Sequence, residues 1–251
     1  MSEQVIVTRD GAVCEVRLNR PAKRNALTLD MYGALAEALA SFEADEALRV
    51  LLLSGEGACF TAGNDLRDFL SGPPLDAPDH PTVRFVRALA GLTKAAVAAV
   101  HGPTVGLGVT LLLHCDLVVA AARSTRLIAP FVTLGLVPEA ASTLLLPALM
   151  GQQRAAEMLL LGEPFDAEAA RQWGLVNRVV ADERLMEEAR TLARALACRP
   201  PEALRATKRL LRRGRTHDVA GRMDEELREF AVRVKSAEFA AAAQAFFEKR
   251  R

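Results

Sequence analysis

Two short glycine-rich segments place small residues where the chain must reverse direction. They are residues 59–66 (CFTAGNDL) and residues 101–108 (HGPTVGLG). Each follows an apolar run, so both turns should expose backbone N–H groups beside a buried strand. A single turn of this kind usually serves only to fold the backbone tightly. Two in series favour paired N–H donors that hold a developing oxyanion.

Other chemistries find less support among the side chains. The four histidines lack metal-site spacing, so we expect no metal. The glycines of residues 102–108 do not have dinucleotide-binding spacing, which argues against a nicotinamide cofactor. No Gly-x-Ser-x-Gly sequence indicates a serine hydrolase. The four cysteines are scattered in apolar surroundings, which predicts reduced core residues in a reducing compartment: Cys14, Cys59, Cys115 and Cys198.

Three polar residues near the turns are interpreted as structural. Asp65 should cap a helix that begins at Leu66, because an aspartate just beyond a turn commonly does so. Asp116 should be a buried, hydrogen-bonded carboxylate where a strand begins. His101 should buttress its own turn rather than bind a metal.

The turns need a sheet to position them. Asp10-Gly11 separates two β-type runs and predicts a hairpin. Apolar runs predict further strands at residues 49–54, 94–100, 117–121 and 127–128. Thr28 should cap the first helix, and residues 71–81 should form a flexible loop that lines the acyl end of a pocket. Pro138 and Glu139 should open a helix that Gly151 ends.

From residue 152 onward the pattern is almost entirely helical. Asp166 is a good helix N-cap and Gly174 a good stop, while residues 200–202 (PPE) open a helix that Gly214 ends. Strands alternating with helices, followed by helices alone, predict an α/β core with a helical C-terminal part. We place the core at residues 1–198 and the C-terminal helical region at 199–251.

Composition limits the class of protein. The chain has 251 residues, 51% of them hydrophobic and 25% charged, which is typical of a soluble globular protein. A formal net charge of +1 gives no general attraction to nucleic acid or membranes. Residues 1–5 lack a secretory signal, no apolar run reaches membrane-spanning length, and residues 248–251 (EKRR) are not a peroxisomal address. We therefore expect a cytoplasmic, bacterial-type enzyme.

The two turns resemble those of the crotonase (enoyl-CoA hydratase/isomerase) superfamily when they are taken with residues 135–139 (GLVPE) and 166–176 (DAEAARQWGLV). The likeness covers the chain from about the first strand to the last helix. Residues 62–66, 102–112 and 130–139 are most similar to the peroxisomal-type Δ3-Δ2-enoyl-CoA isomerases. The resemblance implies a crotonase-type spiral of ββα units with C-terminal helices that form a trimer.

The same resemblance assigns the reacting groups. It places the two oxyanion donors at the backbone N–H groups of Asn64 and Leu107, which would hold a thioester enolate. The two glutamates of the hydratases fall on Thr110 and Phe131, so efficient hydration is not expected. Glu139 matches the single catalytic glutamate of the isomerases, and one base suffices for a 1,3-proton shift. Apolar neighbours should raise its pKa and a helix N-terminus should lower it, which leaves the net direction open.

A CoA thioester is thus the implied substrate, with no separate cofactor, in fatty-acid β-oxidation. The resemblance implies an acyl pocket and a CoA site, and further implies a homotrimer or a dimer of trimers without a membrane partner. The acyl pocket would be formed by Phe69, Thr110, Phe131 and Leu134. The CoA site would be formed by Lys23, Arg24, Ala26, Ala62, Asp65, Leu66 and Lys249.

Two other functions stay open at this point. One is another crotonase-type reaction, such as enoyl-CoA hydration or the isomerisation of an aromatic-acid CoA thioester. The other is a non-catalytic trimer that binds CoA or RNA through a basic helix. That helix lacks the interleaved aromatic residues typical of RNA recognition, so we interpret its cations as a solvated face: Arg205, Lys208, Arg209, Arg212, Arg213 and Arg215.

Overall fold

A six-stranded sheet forms the centre of the computed structural model, which describes residues 3–75, 77, 79–214 and 216–248. The strand order is β1-β2-β3-β4-β6-β9, and a separate three-stranded sheet has the order β5-β7-β8. In chain order the strands are β1 Val5–Asp10, β2 Val13–Leu18, β3 Val50–Gly55, β4 Ala95–Val100, β5 Pro103–Val105, β6 Leu117–Ala121, β7 Arg126–Ile128, β8 Phe165–Asp166 and β9 Arg178–Val180.

Eleven α-helices surround these sheets in the described part of the chain. They are α1 Leu29–Ala44, α2 Leu66–Ser71, α3 Pro81–Gly91, α4 Leu107–Thr110, α5 Ser142–Met150, α6 Gln152–Ala156, α7 Ala167–Gln172, α8 Leu185–Ala197, α9 Pro201–Arg213, α10 Thr216–Arg233 and α11 Ala237–Glu248. The predicted helix N-caps are confirmed at Thr28, Asp65 and Asp166, whose side chains each accept a backbone N–H from the first turn.

Both faces of the central strands β3, β4 and β6 of the large sheet are buried, which explains why these strands are almost continuously apolar. β1 and β2 pair antiparallel as the predicted hairpin, and the remaining pairs in this sheet are parallel. Leu52 and Val97 face a cluster that includes α8, whereas Leu51 and Ala98 face the main core with α1 and α3. The predicted α/β architecture is confirmed, and the two glycine-rich turns follow β3 and β4 within it.

The C-terminal helices pack onto the core of their own chain. Phe230 of α10 and Phe239 of α11 are 4% and 0% exposed, and both belong to the main apolar cluster. Helix α10 also supplies part of the wall of the cavity at the candidate site. A boundary between residues 198 and 199 stays a prediction.

The interpretation of α9 as a solvated basic face is wrong for two of its cations. Lys208 is 6% exposed, and its Nζ donates to the Lys94 carbonyl at 2.6 Å and to Asp116 Oδ2 at 2.7 Å. Arg212 reaches three backbone carbonyls, including that of His114 at 2.6 Å. These cations fasten α9 to the sheet, because buried charges need such partners. Arg215 lies outside the described residues.

The cysteine prediction also needs correction. Cys14 and Cys59 are buried and free, as expected, but Cys198 is exposed and Cys115 is half-buried. Cys198 follows the last residue of α8, where the chain turns at the surface. Its apolar neighbours in sequence therefore belong to the helix face and not to the environment of the thiol.

Candidate active site

The two glycine-rich turns meet directly in space. Thr61 and Thr104 form a parallel bridge, and the Val105 N–H donates to the Thr61 carbonyl at 3.0 Å. Gly63 has φ +81°, and a Cβ built there would lie 2.7 Å from the Val105 carbonyl oxygen. Only glycine satisfies both the left-handed backbone and this close approach. The contact fixes how far apart the two turns lie.

Each turn contributes one residue to a common cavity. Asn64 and Leu107 both line this cavity, together with Glu139. Leu107 is the first residue of α4, so its N–H has no acceptor within the helix. Within the described ranges, neither the Asn64 nor the Leu107 N–H donates a backbone hydrogen bond. Two free donors beside one carboxylate can stabilise an enolate oxygen while a proton moves.

A buried tyrosine, which the sequence reasoning missed, holds the first turn. Tyr32 lies on α1, is 1% exposed, and its hydroxyl donates to Asn64 Oδ1. Burial raises the pKa of Tyr32 well above its ordinary value, with a further contribution from the charge of Glu139. The phenol thus stays a neutral donor. A hydroxyl within the apolar stripe of α1 was the available signal in the sequence.

Glu139 does not open a helix, contrary to the prediction. Helix α5 begins at Ser142, and both Ala140 and Ala141 adopt left-handed backbone with φ 60° and 58°. Two such alanines in succession are strained, so surrounding contacts must impose the conformation. The carboxyl group of Glu139 therefore does not occupy the first turn of α5, and the expected influence of a helix N-terminus on it does not apply.

Two side chains from distant elements hold this strained segment. The Glu226 carboxylate on α10 accepts the Ala141 N–H at 2.6 Å and the Thr143 N–H at 3.0 Å, and it also accepts the Thr143 hydroxyl. His114 Nε2 lies 2.8 Å from the Ala140 carbonyl oxygen. The N-terminus of α5 is capped in this way by a buried carboxylate 85 residues later in the chain.

Burial dominates the electrostatics of Glu139. Desolvation raises the pKa of its carboxyl group to about 8, the hydrogen bond from the Thr110 hydroxyl opposes the rise, and the charge of Glu226 adds to it. The net direction left open by the sequence is therefore upward. A carboxyl group with a pKa near the working pH can both accept and return a proton.

The cavity wall beyond these groups is largely apolar. It comes from residue 75, helix α3 and helix α10, and it includes Leu75, Thr82, Val83, Val86, Met223, Leu227 and Phe230. Leu75 falls in the loop that was expected to line the acyl end. The predicted acyl-pocket residues Phe131 and Leu134 pack in or against the main core and do not line this cavity. Thr110 contacts Glu139 instead, and the Phe69 side chain lies outside the described part of the structure.

A second, polar groove opens on the other side of Asn64. Five of the predicted CoA-site residues line it, namely Lys23, Ala26, Ala62, Asp65 and Leu66. Arg24 does not line it, because its left-handed backbone ends a short turn and directs its carbonyl to the Ala62 N–H. Lys249 lies outside the described residues. Sequence reasoning missed Arg20, Arg67 and Phe247, which also line the groove.

The floor of this groove contains an ion pair. Arg20 Nη1 donates to Asp65 Oδ2 at 2.7 Å and to the Ala26 carbonyl at 3.0 Å. Partial burial acts to raise the pKa of Asp65, but the hydrogen bond and charge of Arg20, together with backbone hydrogen bonds from α2, lower it overall. Asp65 thus caps α2 and orders the groove, in keeping with its structural interpretation. Asn64 lines both spaces, so the groove and the cavity adjoin at this residue.

Between residues 3 and 248, apart from the gaps at 76, 78 and 215, no three histidine, cysteine, aspartate or glutamate side chains converge as metal ligands. Over the same ranges, none of the helices combines the length and the apolar character needed to cross a bilayer.

A family model described as enoyl-CoA hydratase/isomerase matches residues 8–251. A 1,2-epoxyphenylacetyl-CoA isomerase of Escherichia coli (strain K12) is 38% identical to this chain. The alignment covers 100% of this chain and 97% of the length of that protein. Enoyl-CoA delta isomerase 2 of Rattus norvegicus is 34% identical over 99% of this chain, which spans 64% of that longer protein. A crystal structure of an enoyl-CoA hydratase/isomerase from Pseudoalteromonas atlantica T6c superposes with a TM-score of 0.93 at 40% identity, over 99% and 98% of the two chains.

Proposed function

The chain belongs to the enoyl-CoA hydratase/isomerase family, and on that premise we propose that it isomerises 3-enoyl-CoA thioesters to 2-enoyl-CoA thioesters with Glu139 as the base. The observation that carries this proposal is the cavity lining. Glu139 is the one carboxylate among its described residues, and Asn64 and Leu107 line the same cavity. The CoA part of the substrate would occupy the polar groove, and no separate cofactor is needed.

The proposed reaction moves one proton. The ionised Glu139 carboxylate removes a proton from C2 of the 3-enoyl thioester, and the electrons form a dienolate whose oxygen accepts the Asn64 and Leu107 N–H groups. The protonated Glu139 then returns the proton to C4, which leaves the double bond between C2 and C3. The N–H donors strengthen their bonds only as negative charge develops on the oxygen, which is the requirement for lowering the barrier.

The side chains at the two hydratase positions support isomerisation over hydration. Thr110 donates its hydroxyl to Glu139, and Phe131 is 5% exposed within the core. Neither can deprotonate a water at neutral pH. The cavity lining described here offers no second acid to complete a water addition.

A second candidate is the isomerisation of an aromatic-acid CoA thioester. The support for it is the 38% identity to a 1,2-epoxyphenylacetyl-CoA isomerase over the whole of this chain. An oxyanion hole with one carboxylate would serve either substrate, since both reactions would start from a CoA thioester. The choice between them depends on which acyl group the cavity accepts.

The deciding experiment compares three CoA thioester substrates for each of three proteins. Isomerisation of 3-hexenoyl-CoA, hydration of crotonyl-CoA and conversion of 1,2-epoxyphenylacetyl-CoA are measured for the wild type, for Glu139→Gln and for the exposed control Glu163→Gln. We expect isomerisation of 3-hexenoyl-CoA to dominate, to fall at least about a thousandfold in Glu139→Gln and to be retained in Glu163→Gln. Dominant hydration would contradict the proposal, dominant epoxide conversion would select the second candidate, and CoA-thioester binding without turnover would support the non-catalytic alternative.

We also propose that the protein assembles as a homotrimer or a dimer of trimers. Exposed leucines support an interface, since Leu160, Leu161, Leu210 and Leu211 are 62%, 55%, 61% and 76% exposed on this chain. Light scattering coupled to gel filtration should give three or six times the 27.1 kDa chain mass. A monomer at micromolar concentration would contradict this assembly.

A further inference from the structure

Leu75 lies where two cavities adjoin. It lines the cavity that contains Glu139, and it also lines a neighbouring cavity between the loop that begins at Gly72 and the end of α10. The first cavity has a volume of about 60 Å³ and the second a volume of about 180 Å³. Leu75 is 8% exposed and belongs to the main apolar cluster, so packing fixes its position. A buried leucine at this junction can limit how far a ligand in the first cavity extends.

Helix α10 continues from one cavity to the other. It lines both with apolar residues, namely Met223, Leu227 and Phe230 in the first cavity and Ala231 and Val234 in the second. These residues recur at intervals of three or four positions, so they follow one face of the helix. An alkyl chain that runs along this face from Glu139 would pass Leu75 on entering the second cavity.

The lining of the second cavity suits a hydrocarbon chain. Most of its described residues are apolar, including Leu29, Leu70 and Pro74. Of its two titratable residues, His80 is 4% exposed, and burial lowers its pKa, which keeps the imidazole neutral near pH 7. Lys235 is exposed, so its ammonium group can stay in water. Methylene groups that leave water for this wall would bind favourably.

A third cavity offers a different exit from the first, but it is less suited to an apolar chain end. The first and third cavities adjoin at Arg87 and Met223. Charged or titratable residues line the third cavity, namely Arg87, His114, Arg212 and Asp224. Arg87 Nη2 donates to Asp224 Oδ1 at 2.7 Å, and a hydrocarbon chain placed there would take these charges out of water. The apolar direction is therefore the one past Leu75.

We propose that Leu75 sets the upper limit of acyl-chain length, so that the protein selects short-chain acyl-CoA thioesters whose chain ends against this leucine. This inference rests on the proposed function for the position of the thioester, with the acyl chain directed from Glu139 toward Leu75. It goes beyond that function by naming the substrate class and the residue that selects it. Truncation of Leu75 would join the second cavity to the first and admit longer chains.

Two substrates that differ only in chain length test this role of Leu75. The ratio of kcat/KM for 3-dodecenoyl-CoA to kcat/KM for 3-hexenoyl-CoA is measured for the wild type, Leu75→Ala, Leu75→Val and the control Leu48→Ala. Leu48 matches Leu75, because it is also 8% exposed within the main apolar cluster, yet it is absent from the described lining of both cavities. Leu75→Val removes less of the side chain and keeps the test decisive if Leu75→Ala does not fold.

We expect the wild type to favour 3-hexenoyl-CoA. The ratio should rise about tenfold in Leu75→Ala and about threefold in Leu75→Val, roughly the effects of burying two further methylene groups and one. It should stay within about twofold of the wild type in Leu48→Ala. Equal ratios in the wild type and both Leu75 variants would overturn the proposal. A rise in Met223→Ala that Leu75→Ala does not show would also overturn it, because the chain end would then lie toward the third cavity.

Calorimetric binding of hexanoyl-CoA and dodecanoyl-CoA separates this inference from the proposed reaction, because it requires no turnover. If isomerisation is absent but Leu75→Ala strengthens the binding of dodecanoyl-CoA relative to hexanoyl-CoA, the role of Leu75 is supported and only the proposed reaction fails. If the relative affinities are the same in the wild type and in Leu75→Ala, the role of Leu75 is refuted even where isomerisation is observed.

Discussion

Two regions converge on the cavity and are held there in different ways. The two glycine-rich turns are fixed by backbone contacts between them and by glycines that permit close approach, as between Gly63 and Val105. The Glu139 segment is fixed by side chains 26 to 85 residues away, from His114, Thr110 and Glu226. The proposed backbone N–H donors should thus be insensitive to most side-chain substitutions, whereas the proposed base depends on the residues that hold its segment.

The largest effect should come from placing a side chain between the two turns. Gly63→Ala would bring a Cβ to 2.7 Å from the Val105 carbonyl oxygen, so the Asn64 N–H should move out of position. We expect kcat/KM for isomerisation to fall about a hundredfold or more, the loss of one oxyanion donor being worth roughly 3 kcal/mol.

Gly11→Ala is the matched control for this substitution. Gly11 has φ +57°, and a Cβ there would meet nothing within 4 Å. It shares the left-handed backbone with Gly63 but lies in the hairpin turn between β1 and β2. This variant should lose about 1 kcal/mol of stability and keep its kcat/KM. Equal activity losses in the two variants would show that backbone strain, and not the approach of the turns, explains the effect.

Removing the carboxylate of Glu226 should disturb the segment that holds Glu139. Glu226→Gln replaces an acceptor of three hydrogen bonds with an amide that cannot accept as many, so the Ala140–Ala141 turn should loosen. We expect a loss in kcat of about tenfold to a hundredfold and, because a negative charge near Glu139 is removed, a shift of the pH–rate profile to lower pH. Tyr32 and Thr110, the other groups that interact with Glu139, are unchanged in this variant.

Glu225→Gln is the control for Glu226→Gln. Glu225 is the neighbouring residue on α10, but its side chain is 66% exposed and pairs with Arg222. The Glu225→Gln variant should therefore keep both the kcat and the pH–rate profile of the wild type. A loss of kcat in Glu226→Gln without any shift of the profile would assign Glu226 to folding alone and not to the electrostatics of Glu139.

A smaller effect should follow from deleting the hydroxyl that contacts the base. Thr110→Val removes the hydrogen bond that lowers the pKa of Glu139, so that pKa should rise above about 8. Activity should fall about fivefold at pH 7 and recover part of the loss at pH 9.5, where more of the base is ionised. Thr125→Val, at a buried threonine bonded to the Val100 carbonyl, should show no such pH-dependent loss.

The smallest effect concerns the polar groove. Lys23 lines it and Arg24 does not, although the two cations are adjacent and both exposed. Lys23→Ala should raise KM about threefold, with kcat nearly unchanged and with a weaker effect at high salt. Arg24→Ala should leave KM within error. A raised KM in Arg24→Ala and an unchanged KM in Lys23→Ala would instead support the sequence-based assignment of Arg24 to the CoA site.

The difference between local contacts at the turns and long-range contacts at Glu139 also explains what the sequence could predict. The hairpin, the strands before the turns and the caps at Thr28 and Asp166 were predictable, because local residue types determine them. Residues 138–141 were misassigned to a helix, since Pro-Glu is a favourable helix start and the contact with Glu226 cannot be recognised without the fold.

The site was predictable to a similar extent. The two turns and Glu139 were identified together, and the structure brings them to one cavity. The predicted acyl-pocket residues lie close in sequence to the two turns and to Glu139. Helices α3 and α10, however, supply most of the apolar cavity wall. Lys208 and Arg212 looked like surface charges because helical spacing alone does not show which cations turn inward to backbone carbonyls.

The most direct test of the central claim is the pH dependence of kcat/KM for 3-hexenoyl-CoA isomerisation in the wild type and in Glu139→Gln. Burial raises the pKa of Glu139 to about 8, and the base must be ionised to remove the C2 proton. The wild-type rate should therefore rise between pH 6 and 8 and level off above about pH 8.5, and Glu139→Gln should abolish this rise together with the activity. A wild-type profile that is flat over this range, or an equally active Glu139→Gln, would contradict Glu139 as the single base.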